Sequence, residues 1–267
     1  KNLIRKIIQK NNKVNPKYFY PLLDSAFSKE DLISGIKVLI SGQITMSKKT
    51  RDFEKEFARI CGARYGVATT SGTTALHLAL TVMGLGPGDE VITPSFNNIA
   101  DHQAIWTTGA RPVFCDVLPN TLCVDLNKAA ELVSPQTKAI IAMDYACGLC
   151  DHNQLSDFAV THGLRVMHDA AHSLGSRWEG CPIGSFSDLC MFSFDPIKTI
   201  TCIDGGALVV RSEEEKERLH RMRLIGMGQS AEVMYQNQRA LFVNNTDECW
   251  NWWLKDSNYS ITQVTGD

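Results

Sequence analysis

Lys198 is the residue of this sequence with the clearest capacity for covalent chemistry. It lies in a loop between two apolar segments, DLCMFSF and GALVV, and Pro196 and the Gly205–Gly206 pair shape the backbone around it. A lysine that is desolvated in such a loop can lose its proton and attack a carbonyl carbon. A solvated loop position is the commoner case for any single lysine, so both interpretations stay open at this point.

Asp169 directly follows the strand-like segment LRVMH. In open α/β sheets, ligands gather at the carboxyl ends of the strands. A buried carboxylate there needs a positive partner, and a protonated pyridine nitrogen would serve. An isolated aspartate at such a place more often caps the following turn, and that alternative also remains.

Ser71, Gly72, Thr73 and Thr74 open a helix directly after the strand-like segment YGVATT. The free N–H groups and the dipole of a helix start favour an anion, and Gly72 would let the backbone approach it closely. Ser193, five residues before Lys198, is a candidate for a second phosphate donor. The alternatives are an ordinary N-cap for the turn and a strand hydroxyl for Ser193.

Short apolar strands alternate with longer helical stretches around these residues, after two helices predicted over residues 28–61. This alternation predicts an α/β fold, in which helices flank both faces of a central, mostly parallel sheet. The predicted strands are YGVATT, EVITP, RPVFCDV, KAIIAMDY, LRVMH, DLCMFSF and GALVV. The predicted helices between and after them are TALHLALTVMGLG, 97–107, 126–133, QLSDFAVTHG and SEEEKERLHRMRL.

The composition is that of an ordinary globular protein, with 44% hydrophobic and 21% charged residues and a net charge of -2. It predicts no basic face for nucleic acid. No apolar run approaches the roughly 20 residues of a membrane span, so we expect no membrane partner.

The nine cysteines predict reduced thiols in a cytoplasmic protein rather than a disulfide framework. We expect Cys115, Cys190 and Cys202 to lie in buried strands. Cys147 and Cys150 form one CxxC, but a zinc site would need a second ligand pair. We therefore expect a loop with two buried thiols and no metal.

In their order and context, these segments resemble the nucleotide-sugar aminotransferases of the aspartate-aminotransferase fold (fold type I), which depend on pyridoxal phosphate. The opening YPLLDSAF and the segment LISGQITMSKKTRDFEKEFA are similar to the N-terminal arm of that family, and the resemblance covers about residues 17–228. The other matching stretches are SGTTALHLAL, GPGDEVITPSF, GARPVFCDV, MHDAAHSLGS and MFSFDPIKTITCIDGGALVV.

The resemblance implies a role for each matching residue. Lys198 corresponds to the lysine that forms a Schiff base with the cofactor. Asp169 corresponds to the carboxylate that keeps the pyridine nitrogen protonated, and His172 to a position near the cofactor hydroxyl. The positions expected to bind the cofactor phosphate are Ser71, Gly72, Thr73 and Ser193.

This sequence departs from the family pattern at two places near the site. The family commonly places an aromatic ring over the cofactor, and that register gives Asn98, with Phe96 the nearer aromatic residue. Both are therefore expected near the cofactor, and the stacking residue stays open. Asp195 stands where the family often has histidine.

Three regions follow from the resemblance: an N-terminal arm over 1–46, a pyridoxal-phosphate-binding large domain over 47–229, and a divergent tail or truncated small domain over 230–267. Residues 230–267 do not match the family's small domain, so we expect most of that domain to be missing. The tail contains Trp250, Trp252 and Trp253, which could cover a partner surface.

The resemblance implies amino transfer from an amino acid, by family habit glutamate, to a keto group of a nucleotide-linked sugar. The pathway would be surface-polysaccharide or amino-sugar biosynthesis, the cofactor would pass through its pyridoxamine form, and the enzyme would be a cytoplasmic homodimer. A sugar 3-dehydratase of the family would carry histidine in place of Lys198. The open alternative is a truncated or degenerate member that binds cofactor or a partner chain without turnover.

Overall fold

A computed structural model describes residues 27–146 and 148–223 of the chain. The helices are α1 Lys29–Ser41, α2 Lys48–Ile60, α3 Gly72–Val82, α4 Ile99–Thr107, α5 Leu126–Leu132, α6 His152–His162 and α7 Glu213–Arg223. The strands are β1 Tyr65–Thr69, β2 Glu90–Pro94, β3 Arg111–Cys115, β4 Thr137–Met143, β5 Arg165–Asp169, β6 Arg177–Trp178, β7 Cys181–Pro182, β8 Leu189–Ser193 and β9 Gly206–Val210. These elements confirm the predicted alternation of strands and helices.

Seven strands form one sheet in the order β1-β9-β8-β5-β4-β2-β3, and β6 and β7 form a separate hairpin. The five strands from β8 to β3 pair in parallel. Strand β9 is antiparallel to both of its neighbours, β1 and β8. The sheet is therefore mostly parallel, as predicted, and the carboxyl ends of β2, β4, β5 and β8 meet at one edge.

Strand β4 shows why the sheet is covered on both faces. Ala139 and Ile141 pack in the hydrophobic cluster that includes α3 and α4. Ile140 and Ala142, which point the opposite way, pack in the cluster that includes α5 and α6. All four are fully buried, as expected of a central strand between two helical layers.

The first two helices differ in how they pack. Helix α1 begins with a capping box, in which Ser28 and Asp31 exchange hydrogen bonds, and it buries none of its residues. Helix α2 buries Phe57 and Ala58 in the core. The N-terminal arm and the boundaries of the large domain stay predictions. Residues 1–26, the predicted tail over 230–267 and Cys147 lie outside the described residues.

The described cysteines are free. Cys115, Cys150 and Cys190 are buried as predicted, but the prediction for Cys202 is wrong, because its side chain is exposed. Cys202 lies in an irregular loop rather than in a strand. Within the described ranges, no helix combines the length and the apolar character needed to cross a membrane.

Candidate active site

The sheet register brings the predicted chemistry to one edge. Asp169, the last residue of β5, pairs with Met143 of β4 on one side and with Met191 of β8 on the other. Two residues further along β8, Ser193 pairs with Gly206, the first residue of β9. The carboxylate and the serine hydroxyl therefore lie on neighbouring strands at the carboxyl edge, where ligands of α/β sheets gather.

A cavity of about 380 Å³ opens at this edge. All of the predicted site residues line it except Phe96 and His172. Its lining residues are Ser71, Gly72, Thr73, Leu76, Asn98, Ala100, Met143, Asp169, Ala171, Met191, Ser193, Asp195, Ile197, Lys198 and Asp204. The cleft thus brings together one lysine, three carboxylates and the start of a helix, and apolar side chains form much of the rest of its lining.

The start of α3 forms one end of the cleft. Ser71 caps the helix, because its Oγ accepts a hydrogen bond of 3.1 Å from Thr74 N–H. Gly72 lies so close to β8 that a Cβ added to it would be 2.9 Å from Ser193 Cβ and 3.0 Å from Ser193 Oγ. The first-turn N–H groups of a helix have no partner within the helix. The N–H groups of Gly72 and Thr73 and the hydroxyl of Ser193 therefore surround a site suited to an anion.

Asp169 is buried in the floor of the cleft, and its Oδ1 accepts a hydrogen bond of 2.9 Å from Ala171 N–H. Burial raises the pKa of this carboxyl group, while the Ala171 N–H and the positive charges of His168 and Lys198 lower it. Because burial outweighs the opposing groups, the carboxylate lacks full compensation for its charge. A cation bound in the cleft would supply it.

Lys198 lies half-buried in the loop after β8. Asp195 builds the turn that presents it: its Oδ1 accepts from Ile197 N–H at 3.1 Å, and its carbonyl oxygen accepts from Lys198 N–H at 3.0 Å. The Asp195 side chain thus organises the loop at the position where the family often has histidine. Asp195 and Asp204 also line the cleft, and sequence reasoning did not select either as a site residue.

His172 and Phe96 lie beside the cleft, around Tyr145. The Tyr145 ring centroid is 4.9 Å from that of Phe96 and 5.5 Å from that of His172. His172 Nδ1 accepts a hydrogen bond of 3.2 Å from Ala146 N–H. Burial, and then the charge of Lys198, lower the pKa of His172, which favours the neutral ring. Tyr145 was missed in the sequence, where it only ends a predicted strand.

Asn98 lies at the cleft and caps the helix that begins there. Its Oδ1 accepts a hydrogen bond of 2.9 Å from Ala100 N–H and so caps α4. Asn98 lines the cleft, whereas Phe96, whose side chain is about half exposed, does not. The residue that would stack on a bound ring therefore stays open between them.

A buried polar cluster supports the floor from behind. Asp144 pairs with His168 Nε2 at 2.9 Å and accepts from Cys150 N–H at 2.9 Å. Burial opposes the charge of Asp144, but the charge and hydrogen bond of His168 outweigh it and lower the pKa of Asp144 to about 2. Two overlapping triads here have ligand-type atoms within 4.8 Å: Cys123, Asp144 and Cys150, and Asp144, His152 and His168. Because Asp144 is already bound by its neighbours, we assign the cluster to support of β5.

Over most of its described length, the chain is similar in sequence to known proteins. Residues 27–249 match the family model described as the DegT/DnrJ/EryC1/StrS aminotransferase family. The UDP-4-amino-4-deoxy-L-arabinose--oxoglutarate aminotransferase of Shewanella sediminis is 37% identical over 213 residues, which cover 80% of this chain and 55% of that protein. The spore coat polysaccharide biosynthesis protein SpsC of Bacillus subtilis is 37% identical over 231 residues, covering 86% of this chain and 58% of SpsC.

Solved structures of sugar aminotransferases are also similar to this chain in fold. The Spr1654 protein of Streptococcus pneumoniae, in its PLP form, superposes with a TM-score of 0.73 at 28% identity, and the match covers 79% of this chain and 59% of that one. The chain spans just over half the length of the curated relatives it matches. The chain belongs to the DegT/DnrJ/EryC1/StrS aminotransferase family.

Proposed function

We propose that this chain binds pyridoxal phosphate in the cleft and transfers an amino group to a keto group of a nucleotide-linked sugar. The observation that carries the proposal is the convergence of Lys198, Asp169 and the start of α3 on one cavity. The relatives support it, since one is named for a UDP-linked amino sugar and oxoglutarate. Spr1654 was solved in both a PLP and a PMP form.

The residues of the cleft fit this cofactor at both ends. The close approach of Gly72 to Ser193, which a Cβ would fill, leaves a cradle of backbone N–H groups, with the Thr73 and Ser193 hydroxyls beside it, for a phosphate dianion. At the other end, the buried Asp169 has an under-compensated negative charge that suits a protonated ring nitrogen. A site built for a neutral ligand would need neither feature.

Pyridoxal phosphate supplies an aldehyde that amines attack and a ring that accepts electrons released at the amino carbon. The chain supplies the remaining functions. Lys198 Nζ would hold the cofactor through a covalent bond to its aldehyde carbon. Once the amine of the amino donor displaces it from that carbon, the freed Nζ would carry a proton between carbon atoms of the bound molecules. Asp169 keeps the ring nitrogen positive. Ser71, Gly72, Thr73 and Ser193 bind the phosphate.

The surrounding side chains set the environment for Lys198. Met143 and Met191 flank Asp169 in the sheet register, and both are buried. These thioethers exclude water from the floor, and this strengthens the interaction of Asp169 with a cation. His172 lies close enough to sense the charge of Lys198, and in its neutral form it can accept or donate one hydrogen bond near the cofactor hydroxyl.

The finer parts of the proposal rest on the family. Glutamate is the expected amino donor, because the Shewanella relative is named for oxoglutarate, the keto acid that glutamate leaves behind. Surface-polysaccharide synthesis is the expected context, since SpsC is named for it. A cytoplasmic homodimer belongs to the same proposal.

The experiment is a substitution at Asp169. Asp169→Asn preserves shape but removes the charge that holds the ring nitrogen, so turnover should fall by on the order of 10²–10⁴. The control is Asp157→Asn, which makes the same chemical change at an exposed residue of α6. Turnover would be measured with glutamate and a panel of nucleotide-linked keto sugars.

Near-normal turnover in Asp169→Asn would refute the assigned role. Cofactor binding by the wild-type chain without turnover on the whole panel would instead favour the alternative of a member that binds without catalysis.

A further inference from the structure

Asp101 is a second carboxyl group beside Asp169 that the proposed function does not use. It lies in the first turn of α4 and is completely buried. Its Oδ2 accepts a hydrogen bond from the Asn97 amide. Its Oδ1 is buried without a hydrogen-bond partner among the described residues. Asp169, which is also buried, acts on this group through its negative charge. Ala100, the neighbour of Asp101 in the chain, lines the cleft together with Asp169, so the two buried carboxyl groups lie close to each other.

Such a contact requires a proton. Two carboxylates that touch in a buried site cannot both be ionised, because desolvation and like-charge repulsion act together. Among the described residues, the groups that act on Asp101 are Asp169 from β5 and Asn97 from the preceding loop, and neither is a cation. The positive charges of His168 and Lys198 act on Asp169. The pair as a whole therefore holds one proton.

The groups around each carboxyl determine which of Asp101 and Asp169 holds that proton. Burial, followed by the negative charge of Asp169, raises the pKa of Asp101 well above its ordinary value. Burial and the negative charge of Asp144 also raise the pKa of Asp169, but the Ala171 N–H and the charges of His168 and Lys198 act in the opposite direction and favour its ionised form. Asp101 is thus the neutral acid, and its O–H is the donor for the carboxylate of Asp169.

We propose that Asp101 is a positioning residue of the cofactor site: its carboxylic acid proton is donated to Asp169 and fixes that carboxylate toward the cleft. The shared proton is a property of the chain alone. Only its consequence for the cofactor rests on the proposed function. A proton donor, and not a negative charge, is what this position requires, so an amide should replace the acid.

The first test uses the cofactor-free protein. Carbon-13 NMR of labelled aspartate carboxyl groups should show one group that titrates well above the ordinary aspartate range and is absent from Asp101→Asn. The same signal should persist in the exposed control Asp157→Asn. An Asp101 signal that titrates near the ordinary aspartate value of about 4 would overturn the proposal.

The pH dependence of stability is an independent test of the raised pKa of Asp101. Above pH 4 the unfolded chain releases the Asp101 proton while the folded chain keeps it, so the wild type loses stability relative to Asp101→Asn as pH rises. The thermal midpoint of Asp101→Asn should therefore move above that of the wild type between about pH 4 and pH 7. A constant difference across this range would contradict the shared proton.

The second test adds pyridoxal phosphate and compares two variants. Asp101→Leu removes the donor at similar volume and should weaken cofactor binding on the order of 10- to 100-fold, the usual loss for a hydrogen bond to a charged group. Asp101→Asn should restore affinity to near the wild-type value, which a purely space-filling role would not require. Equal affinity in all three proteins would overturn the positioning role. If the wild type itself binds no cofactor, the proposed function fails, and the NMR titration alone decides the shared proton.

Discussion

Gly206 offers a direct test of the phosphate site, because its substitution moves the backbone there without changing any polar group. A Cβ on Gly206 would touch Ser71 O and lie 2.6 Å from Ser71 C and 2.7 Å from Gly72 N. These are backbone atoms, so no side-chain rotation relieves the contact. To reach ordinary contact at 3.4 Å from 2.6 Å, the turn before α3 must move by about 0.8 Å.

The size of the effect follows from that displacement. Overpacking of this kind costs typically 1–3 kcal/mol in a well-packed site, so Gly206→Ala should lower the free energy of unfolding by about that much. The N–H groups of Gly72 and Thr73 move with the turn. If they bind the phosphate, pyridoxal phosphate affinity should fall on the order of 10-fold or more, since about 1.4 kcal/mol corresponds to a factor of ten.

The assay combines cofactor titration by absorbance with urea unfolding. The control is Gly86→Ala, whose added Cβ would approach only Thr108 O, at 4.0 Å, and which should leave cofactor affinity unchanged. A Gly206→Ala variant that is less stable but binds the cofactor with wild-type affinity would refute the reasoning, because the displaced turn could not then hold the phosphate.

Two further predictions concern the cleft and the core behind it. The double variant Thr73→Ala with Ser193→Ala should bind pyridoxal phosphate more weakly yet still form the lysine adduct at high cofactor concentration, and unchanged affinity would remove both hydroxyls from the site. Burial, and secondarily the charge of His168, lower the pKa of His152 to about 4. Between about pH 6.5 and pH 4, the unfolded chain therefore binds a proton at His152 that the folded chain does not bind. Stability should therefore fall as pH drops from about 6.5 to 4, and His152→Phe, which suits the neighbouring Phe186 ring 4.6 Å away, should flatten this slope in urea titrations. If His152→Phe has the same dependence of stability on pH as the wild type, the lowered pKa of His152 is contradicted.

The convergence of residues on one edge could be predicted from the sequence because it follows from strand direction. LRVMH and DLCMFSF are short, mostly apolar segments typical of buried parallel strands, and the residues at their ends meet at one edge of the sheet. The order of strands and the reversed direction of β9 do not follow from such runs. The direction of β9 depends on the path of the long loop between β8 and β9, and the strand order depends on how the helices between strands pack on the sheet; local patterns specify neither.

That loop also explains the error at Cys202. TITCID has the composition of a strand, but side chains bind the loop backbone instead: Ile203 N–H donates to Thr201 Oγ1 at 3.0 Å. The backbone of Cys202 closes the loop by donating to Phe194 O at 3.2 Å. Such local hydrogen bonds compete with sheet pairing, and sequence periodicity does not reveal them.

Asp101 marks another limit of sequence reasoning. It stands in the polar run Asp101-His102-Gln103, which on a helix normally indicates a solvent-exposed face. Its burial depends on how α4 packs against α3, β2 and β3, which is a tertiary feature. No pattern in the sequence distinguishes it from an ordinary acidic residue in the first turn of a helix.

The central claim, that this cleft holds pyridoxal phosphate through Lys198, is tested most directly by trapping the bond. The purified chain would be incubated with pyridoxal phosphate, reduced with borohydride and digested, and the labelled peptide would be identified by mass spectrometry. The account predicts one dominant label, on Lys198 in the segment SFDPIKTITCIDGG. A label predominantly on another lysine, or none above that of the Lys198→Ala variant, would contradict it.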